Sequence, residues 1–160
     1  MGLHGFDRSG SHRRARVASM IAVLMAASLP EVSANSLLDQ AETASAEQLQ
    51  EAIKAGNVNA VDDVGRTVLM HAAAHNPDPQ VIALLVRAGA KVNTRGPRQW
   101  TALMMAAYGN TNPAVVDALL AAGANAALRS DARETAADYA QDNDALKGTP
   151  TLAKLRAAGR

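Results

Sequence analysis

The sequence contains no cysteine, which excludes disulfide bonds, thiolate metal sites, cysteine nucleophiles and lipid attachment through cysteine. Aromatic residues make up only 2% of the 160 residues, as one Trp, two Tyr and one Phe. Because each large ring buries much apolar area, their scarcity argues against a closed globular core of the usual kind. The apolar content comes instead from Ala, Leu and Val, which indicates thin layers of closely packed helices.

An excess of positive charge is also missing. The net charge is +1 at pH 7, whereas nucleic-acid-binding proteins usually carry a clear basic excess. The sequence has no P-loop, dinucleotide fingerprint or nucleophile-elbow pattern, so we expect no enzyme activity and no cofactor. A hydrophobic content of 48% argues against a chain that is disordered by composition.

The first 34 residues have the pattern of a removable export signal. Four arginines precede an uncharged run over residues 17–29, Pro30 follows, and Val32, Ser33 and Ala34 are small residues of the kind that a signal peptidase recognises. The run is shorter than the span of about 20 residues that a membrane helix needs. The pattern predicts cleavage after Ala34 and a periplasmic or secreted protein, in a Gram-negative bacterium.

Two alternatives concern this leader. Arg13 and Arg14 raise the twin-arginine export route, although Ala15–Val17 lacks the expected bulky apolar pair. An uncleaved leader would instead make the protein a membrane-tethered scaffold. Cleavage after Ala34 would leave 12 basic and 13 acidic residues, a balance that favours neither nucleic acid nor membrane, and we expect the mature protein to be a monomer.

A period of 34 residues organises the rest of the chain. The segment at 67–73 returns at 101–107 and, in eroded form, at 135–140. An Ala-Gly pair recurs in step at 55–56, 88–89, 122–123 and 158–159. This period predicts a stacked array of small helical units.

Each unit has recognisable start and stop signals. Gly65 favours a tight turn in a polar hairpin, and Thr67 and Thr101 are predicted N-caps of a first helix. A second helix is predicted to begin at each of three capping residues that precede a proline, since proline suits the first helical position: Asp78, Asn112 and Thr149. Its expected buried stripe comprises Val81, Leu85 and Ala88 in one unit and Val115, Leu119 and Ala122 in the next. The expected C-terminal glycine caps are Gly89, Gly123 and Gly159.

A shorter helix pair is expected before the first full unit. Ser45 and Gln48 form a predicted capping box, which opens a helix that ends at Gly56. Leu37 and Leu38 are assigned to a vestigial partner helix.

Residues 65–73 together with 84–93 closely resemble an ankyrin repeat, although Val68 and Ala102 replace its usual Pro, and Met70 and Met104 its usual His. The resemblance covers residues 45–159 and implies an all-α repeat solenoid of stacked helix–turn–helix units with short hairpin loops. The predicted organisation is a signal peptide over 1–34, a degenerate N-terminal cap unit over 35–60, a first repeat over 61–94, a second repeat over 95–128 and a degenerate C-terminal cap unit over 129–160.

The resemblance also implies a concave, non-catalytic surface that binds another protein. Trp100 is its predicted anchor, since Trp, Tyr and Arg dominate binding energy at interfaces. The predicted partner-binding residues are Trp100, Arg98, Tyr108, Arg66, His75, Asp63 and Glu134. An alternative role for Trp100 is to fold over a neighbouring hairpin and shield it.

A functional alternative is a metal-binding or hydrolytic protein. His71 and His75 lie four residues apart on one predicted helix, a spacing that can hold a metal ion. The glutamate of an H-E-x-x-H metalloprotease motif is absent. By resemblance, His71 occupies a packing position and His75 a surface position, so we expect no metal ligand.

Overall fold

The computed structural model describes the backbone of residues 34–160 and the side chains of residues 37–160. The predicted signal peptide falls outside these residues, apart from Ala34. The α-helices in the described part are α1 (Ala34–Thr43), α2 (Ala46–Ala55), α3 (Val68–His75), α4 (Pro79–Arg87), α5 (Ala102–Gly109), α6 (Pro113–Ala121), α7 (Ala136–Tyr139) and α8 (Pro150–Ala158). A 3-10 turn spans Pro97–Gln99.

The predicted N-caps of the first helices are confirmed. The hydroxyl oxygen of Thr67 accepts the backbone N–H of Met70, and that of Thr101 accepts the N–H of Met104. Thr135 opens α7 in the same way. These hydroxyls satisfy backbone donors that have no partner inside the helix, so each unit starts its first helix at the same register.

The second helices also begin where the sequence predicts. Asp78, Asn112 and Thr149 cap α4, α6 and α8, and a proline follows each of them. Gly89 and Gly123 follow α4 and α6 at φ +96° and +86°, as expected for glycine caps. Gly159 is the C-cap of α8, as predicted, but in a different conformation from Gly89 and Gly123: its φ is −91°, and its N–H donates to Leu155 O.

The helices form two layers. α1, α3, α5 and α7 pack against one another in sequence order, and α2, α4, α6 and α8 form the second layer in the same order. Contact is closer between the first helices than between the second helices. The predicted all-α repeat solenoid is confirmed.

The core lies between the layers, and the predicted stripe needs one correction. Val81, Leu85, Val115 and Leu119 are fully buried, but Ala88 is exposed and Ala122 half-buried. Their predicted places in the core are taken by two other fully buried residues, Ile82 and Val116. The buried face of the second helices therefore ends before their C-caps, where Ala88 and Ala122 lie.

The N-terminal cap unit is more complete than expected. Leu37 and Leu38 are 0% and 5% exposed, but they lie on a helix of 10 residues, longer than the 8-residue α3. The capping box of Ser45 and Gln48 is confirmed and opens α2. Both layers therefore begin with a full-length helix.

Buried asparagines tie successive units together. The side-chain amide of Asn76 donates to Ala41 O and Ala44 O, and that of Asn110 donates to Ala73 O and Asn76 O. Asn143 continues the series into the C-terminal cap unit. Each amide satisfies carbonyls at or just beyond the end of the preceding first helix, which have no partner within that helix.

Candidate functional site

Three hairpins project from the first-helix layer, at 62–66, 96–100 and 130–134. Each is closed by one backbone hydrogen bond between its ends, such as Gly96 N–H to Trp100 O at 2.8 Å. The residue before the closing position is left-handed in all three: Gly65 at φ +88°, Gln99 at +58° and Arg133 at +64°. The second hairpin is the most distorted, since Arg98 also has a positive φ of +56°.

The three aromatic rings of the described residues meet beside the second hairpin. The centroid of Trp100 lies 4.5 Å from that of Tyr139 and 5.5 Å from that of Tyr108, and the two tyrosines are 6.2 Å apart. These are contact distances for edge and tilted ring pairs, so the rings fill the space between them and leave no cage for a ligand. Tyr108 is nevertheless 61% exposed.

Two adjoining clefts flank Trp100, of about 320 and 250 Å³, and share Arg66, Trp100 and Met105. The first cleft is completed by Val64, Pro97 and Arg98. The second is completed by Ala74, His75, Tyr108 and Gly109. We call the two clefts together the aromatic groove. It crosses from the first repeat to the second.

The basic side chains at the groove differ in whether they already have a partner within the described residues. The Nε of Arg66 lies 2.9 Å from Asp62 Oδ2, so much of its charge is neutralised. Arg98 and His75 are exposed, and no side chain or backbone group of residues 37–160 forms a hydrogen bond or ion pair with either side chain. Arg98 is therefore the free guanidinium of the groove.

Asp62 organises the edge of this surface. Burial alone would raise the pKa of its carboxyl, but hydrogen bonds from the backbone and side chain of Arg66, from His71 and from the Val64 N–H outweigh that effect and lower the pKa to about 2. The ionised carboxylate thus holds the first hairpin closed against α3. It fixes Arg66 at the mouth of the groove.

The structure brings most of the predicted binding residues together. Trp100, Arg98, Tyr108, Arg66 and His75 all line the aromatic groove. Asp63 instead lines a separate polar cleft of about 260 Å³ with Leu38, Asp39, Asp62 and His71. Glu134 is exposed on the third hairpin and lines neither cleft of the groove.

Sequence reasoning missed two residues at or beside the groove. Tyr139 contacts Trp100, and its hydroxyl lies 2.8 Å from Ser130 Oγ. Met105 lines both clefts. The 34-residue register could have identified both, because His71, Met105 and Tyr139 occupy the same position in successive units.

The metal alternative rests on His71 and His75, and the structure separates their roles. The Nδ1 of His71 lies 2.7 Å from Glu42 Oε1, and its Nε2 lies 2.9 Å from Asp62 Oδ2. Both ring nitrogens are thus engaged by carboxylates of the neighbouring unit and hairpin, while His75 faces the aromatic groove. Within the described residues, no group of three or more His, Asp or Glu side chains could hold a metal ion.

The shielding alternative for Trp100 has a structural basis. Its ring is half-buried, packs against the core, and contacts Tyr139 of the C-terminal cap unit. Trp100 therefore takes part in the packing between units. Because the same ring also lines both clefts, a test of binding needs a second residue that contributes less to packing than Trp100 does, such as Tyr108.

Among the helices of residues 34–160, none is long and apolar enough to cross a membrane. No curated protein was found to match the chain. A family model described as ankyrin repeats, in three copies, matches residues 21–130 and 69–155. These matches cover most of the 160 residues and the whole stack from α1 to α7, so the chain belongs to the ankyrin-repeat family.

Proposed function

We propose that this protein is an exported, non-catalytic module that binds another protein through the aromatic groove. Ankyrin repeats are generally protein–protein interaction modules, and the family is typically non-catalytic. The observation that carries the proposal is the meeting of Trp100, Tyr108 and Tyr139 at one surface. Trp and Tyr are enriched among the residues that dominate binding energy at protein interfaces.

Tyr108 gives the sharpest test of this surface. It is exposed, so Tyr108→Ala should fold normally and yet weaken partner capture by about thirtyfold, which corresponds to about 2 kcal/mol. The measurement compares the proteins captured by the wild-type chain and by the variant from the compartment where the protein resides, with quantitative mass spectrometry. Lys54→Ala, at an exposed position on α2, is the matched control and should capture the same partner as the wild type.

Two outcomes would contradict the proposal. A folded Tyr108→Ala protein that captures the same partner in the same amount would remove the groove as the binding surface. Trp100→Ala should lower both the melting temperature and the capture. Loss of stability without any loss of capture per folded molecule would identify Trp100 as a shield only.

Export rests on the leader alone. The arginine-rich start, the short apolar run and the small residues before position 35 favour cleavage after Ala34, which would leave α1 almost intact at the new N-terminus. Protein isolated from its native cell should therefore begin at Asn35 by mass spectrometry. A chain that still carries residues 17–29 in the membrane fraction would support the tethered scaffold instead.

A further inference from the structure

The aromatic groove combines apolar surface with positive charge. Among the described residues that line its two clefts, the basic ones are Arg66, Arg98 and His75, and none is an aspartate or glutamate. The rest of the lining is apolar or small, with Trp100 and Met105 common to both clefts. The groove is therefore locally cationic, although residues 35–160 hold 12 basic and 13 acidic side chains.

The acidic residues of the same face lie outside the lining of the groove, and two of them, Asp131 and Glu134, are exposed on the third hairpin. Asp39, Asp62 and Asp63 line the neighbouring polar cleft. Since Asp62 also pairs with Arg66, the free positive charge of the groove is concentrated at Arg98. Opposite charges are thus sorted into adjacent clefts, and this arrangement favours a ligand that brings its own negative charge to the groove.

The backbone of Arg98 is held in place. Its carbonyl oxygen accepts the N–H of Asp131 from the third hairpin at 3.0 Å, and the hairpin that carries it is closed by the bond from Gly96 to Trp100. A guanidinium on a fixed backbone loses less freedom when it binds a carboxylate, for which its planar geometry is suited.

The size of the clefts limits what each can hold. Volumes of about 320 and 250 Å³ lie at or below the lower end of the range for small-molecule sites. They suit single side chains of a protein segment that runs across the two repeats. The walls of Trp100, Met105 and Tyr108 match an apolar side chain.

We propose that the groove recognises a protein segment in which a large apolar side chain stands next to an aspartate or glutamate. The apolar side chain lies against Trp100 and Met105, and the carboxylate binds the guanidinium of Arg98. This inference rests on the proposed function, since it names the chemistry of the partner at the same surface.

Random 12-residue peptides displayed on phage, selected on the full-length protein, test the inference without knowledge of the natural partner. Selected peptides are then sorted by whether they bind Tyr108→Ala. The expected result is a set of Tyr108-dependent peptides in which acidic residues adjoin Leu, Phe, Tyr or Trp. Tyr108-dependent peptides without enriched acidic residues would overturn the proposed partner chemistry and leave the proposed function standing. Recovery of no Tyr108-dependent peptide would overturn both.

A selected peptide then tests the role of Arg98 directly. Trp100 is the only tryptophan of the chain, so its fluorescence reports on binding at the groove. Arg98→Gln should weaken binding of the acidic peptide about tenfold. The same peptide with its acid replaced by the amide should bind the wild type more weakly, and Arg98→Gln should leave that weaker binding unchanged. Glutamine carries the same β-carbon as arginine, so the substitution adds no new strain to the backbone at φ +56°.

Arg156→Gln is the matched control, since Arg156 is an exposed arginine on α8 and its loss changes the net charge equally. It should alter neither affinity. Equal weakening by Arg98→Gln and Arg156→Gln would show a general charge effect and overturn the pairing. An unchanged affinity of Arg98→Gln for the acidic peptide would overturn it as well.

Discussion

Removal of one buried amide tests how the units are held together. In Asn110→Ala, Ala73 O and Asn76 O lose the donor that lies 2.9 Å from each, and the N–H of Asn112 loses its acceptor. Asn110 is only 2% exposed, so water replaces these partners poorly. Ala73 O depends especially on the Asn110 amide, because Pro77, four positions later, has no N–H to donate to it.

The expected loss follows from these three bonds. A buried hydrogen bond contributes about 0.5–1.5 kcal/mol net, so Asn110→Ala should lower the free energy of unfolding by about 2–4 kcal/mol. Asn143 makes the same pair of donations, to Ala107 O and Asn110 O, but it is half-buried in the C-terminal cap unit. Asn143→Ala should therefore cost clearly less.

Urea denaturation followed by circular dichroism measures both variants. The slope of unfolding free energy against urea should match the wild type, so that a shifted midpoint reports stability alone. Equal losses of unfolding free energy in Asn110→Ala and Asn143→Ala would refute the claim that the loss depends on burial of the amide. A loss of unfolding free energy below about 1 kcal/mol for Asn110→Ala would refute the claim that the buried asparagines stabilise the stack.

Three further perturbations have defined outcomes. Leu85→Ala, at a fully buried site in the middle of the stack, should lower the free energy of unfolding by about 2–5 kcal/mol. Leu152→Ala, in α8, should lower it clearly less. Equal losses in urea denaturation would contradict an array in which each unit is stabilised by its neighbours. Gln99→Gly should raise the free energy of unfolding by about 1 kcal/mol, because it relieves a left-handed backbone, and a lowered urea midpoint would contradict strain there. The pKa of Asp62 is lowered from 3.8 to about 2, so its contribution of about 2 kcal/mol is complete only above about pH 5 and is lost progressively as the pH falls to about 1. Thermal melts should show the stability gap between wild type and Asp62→Asn narrowing over that range, and a constant gap would contradict the assignment.

The helix boundaries could be predicted from the sequence because their causes are local. A threonine that caps the N–H three residues ahead, or a capping residue before proline, acts within one turn of helix. The exposed Ala88 was predicted wrongly, because helical periodicity alone does not say where along α4 the neighbouring layer ends.

Long-range contacts could not be predicted in the same way. Asn110 bonds to carbonyls 34 and 37 residues away, and nothing in its local sequence distinguishes it from a solvated turn residue. The aromatic groove was found in part, because Trp100 and Tyr108 were located by their place in the repeat. Tyr139 was missed since it belongs to the eroded unit, and its contact with Trp100 crosses a boundary between units.

The 34-residue register separates positions that the stack needs from positions that it leaves open. At one position of the first helix, His71 bonds two carboxylates, Met105 lines the groove, and Tyr139 packs on Trp100. Each of the three residues lies four positions after the threonine that caps its helix, so this position can change its chemistry without changing how the helix starts. Trp100 belongs to both the binding surface and the stack, because it lines the groove and also packs on the next unit. A partner bound in the groove must therefore also stabilise the boundary between the second repeat and the C-terminal cap unit, since a ligand that binds only the folded form stabilises that form.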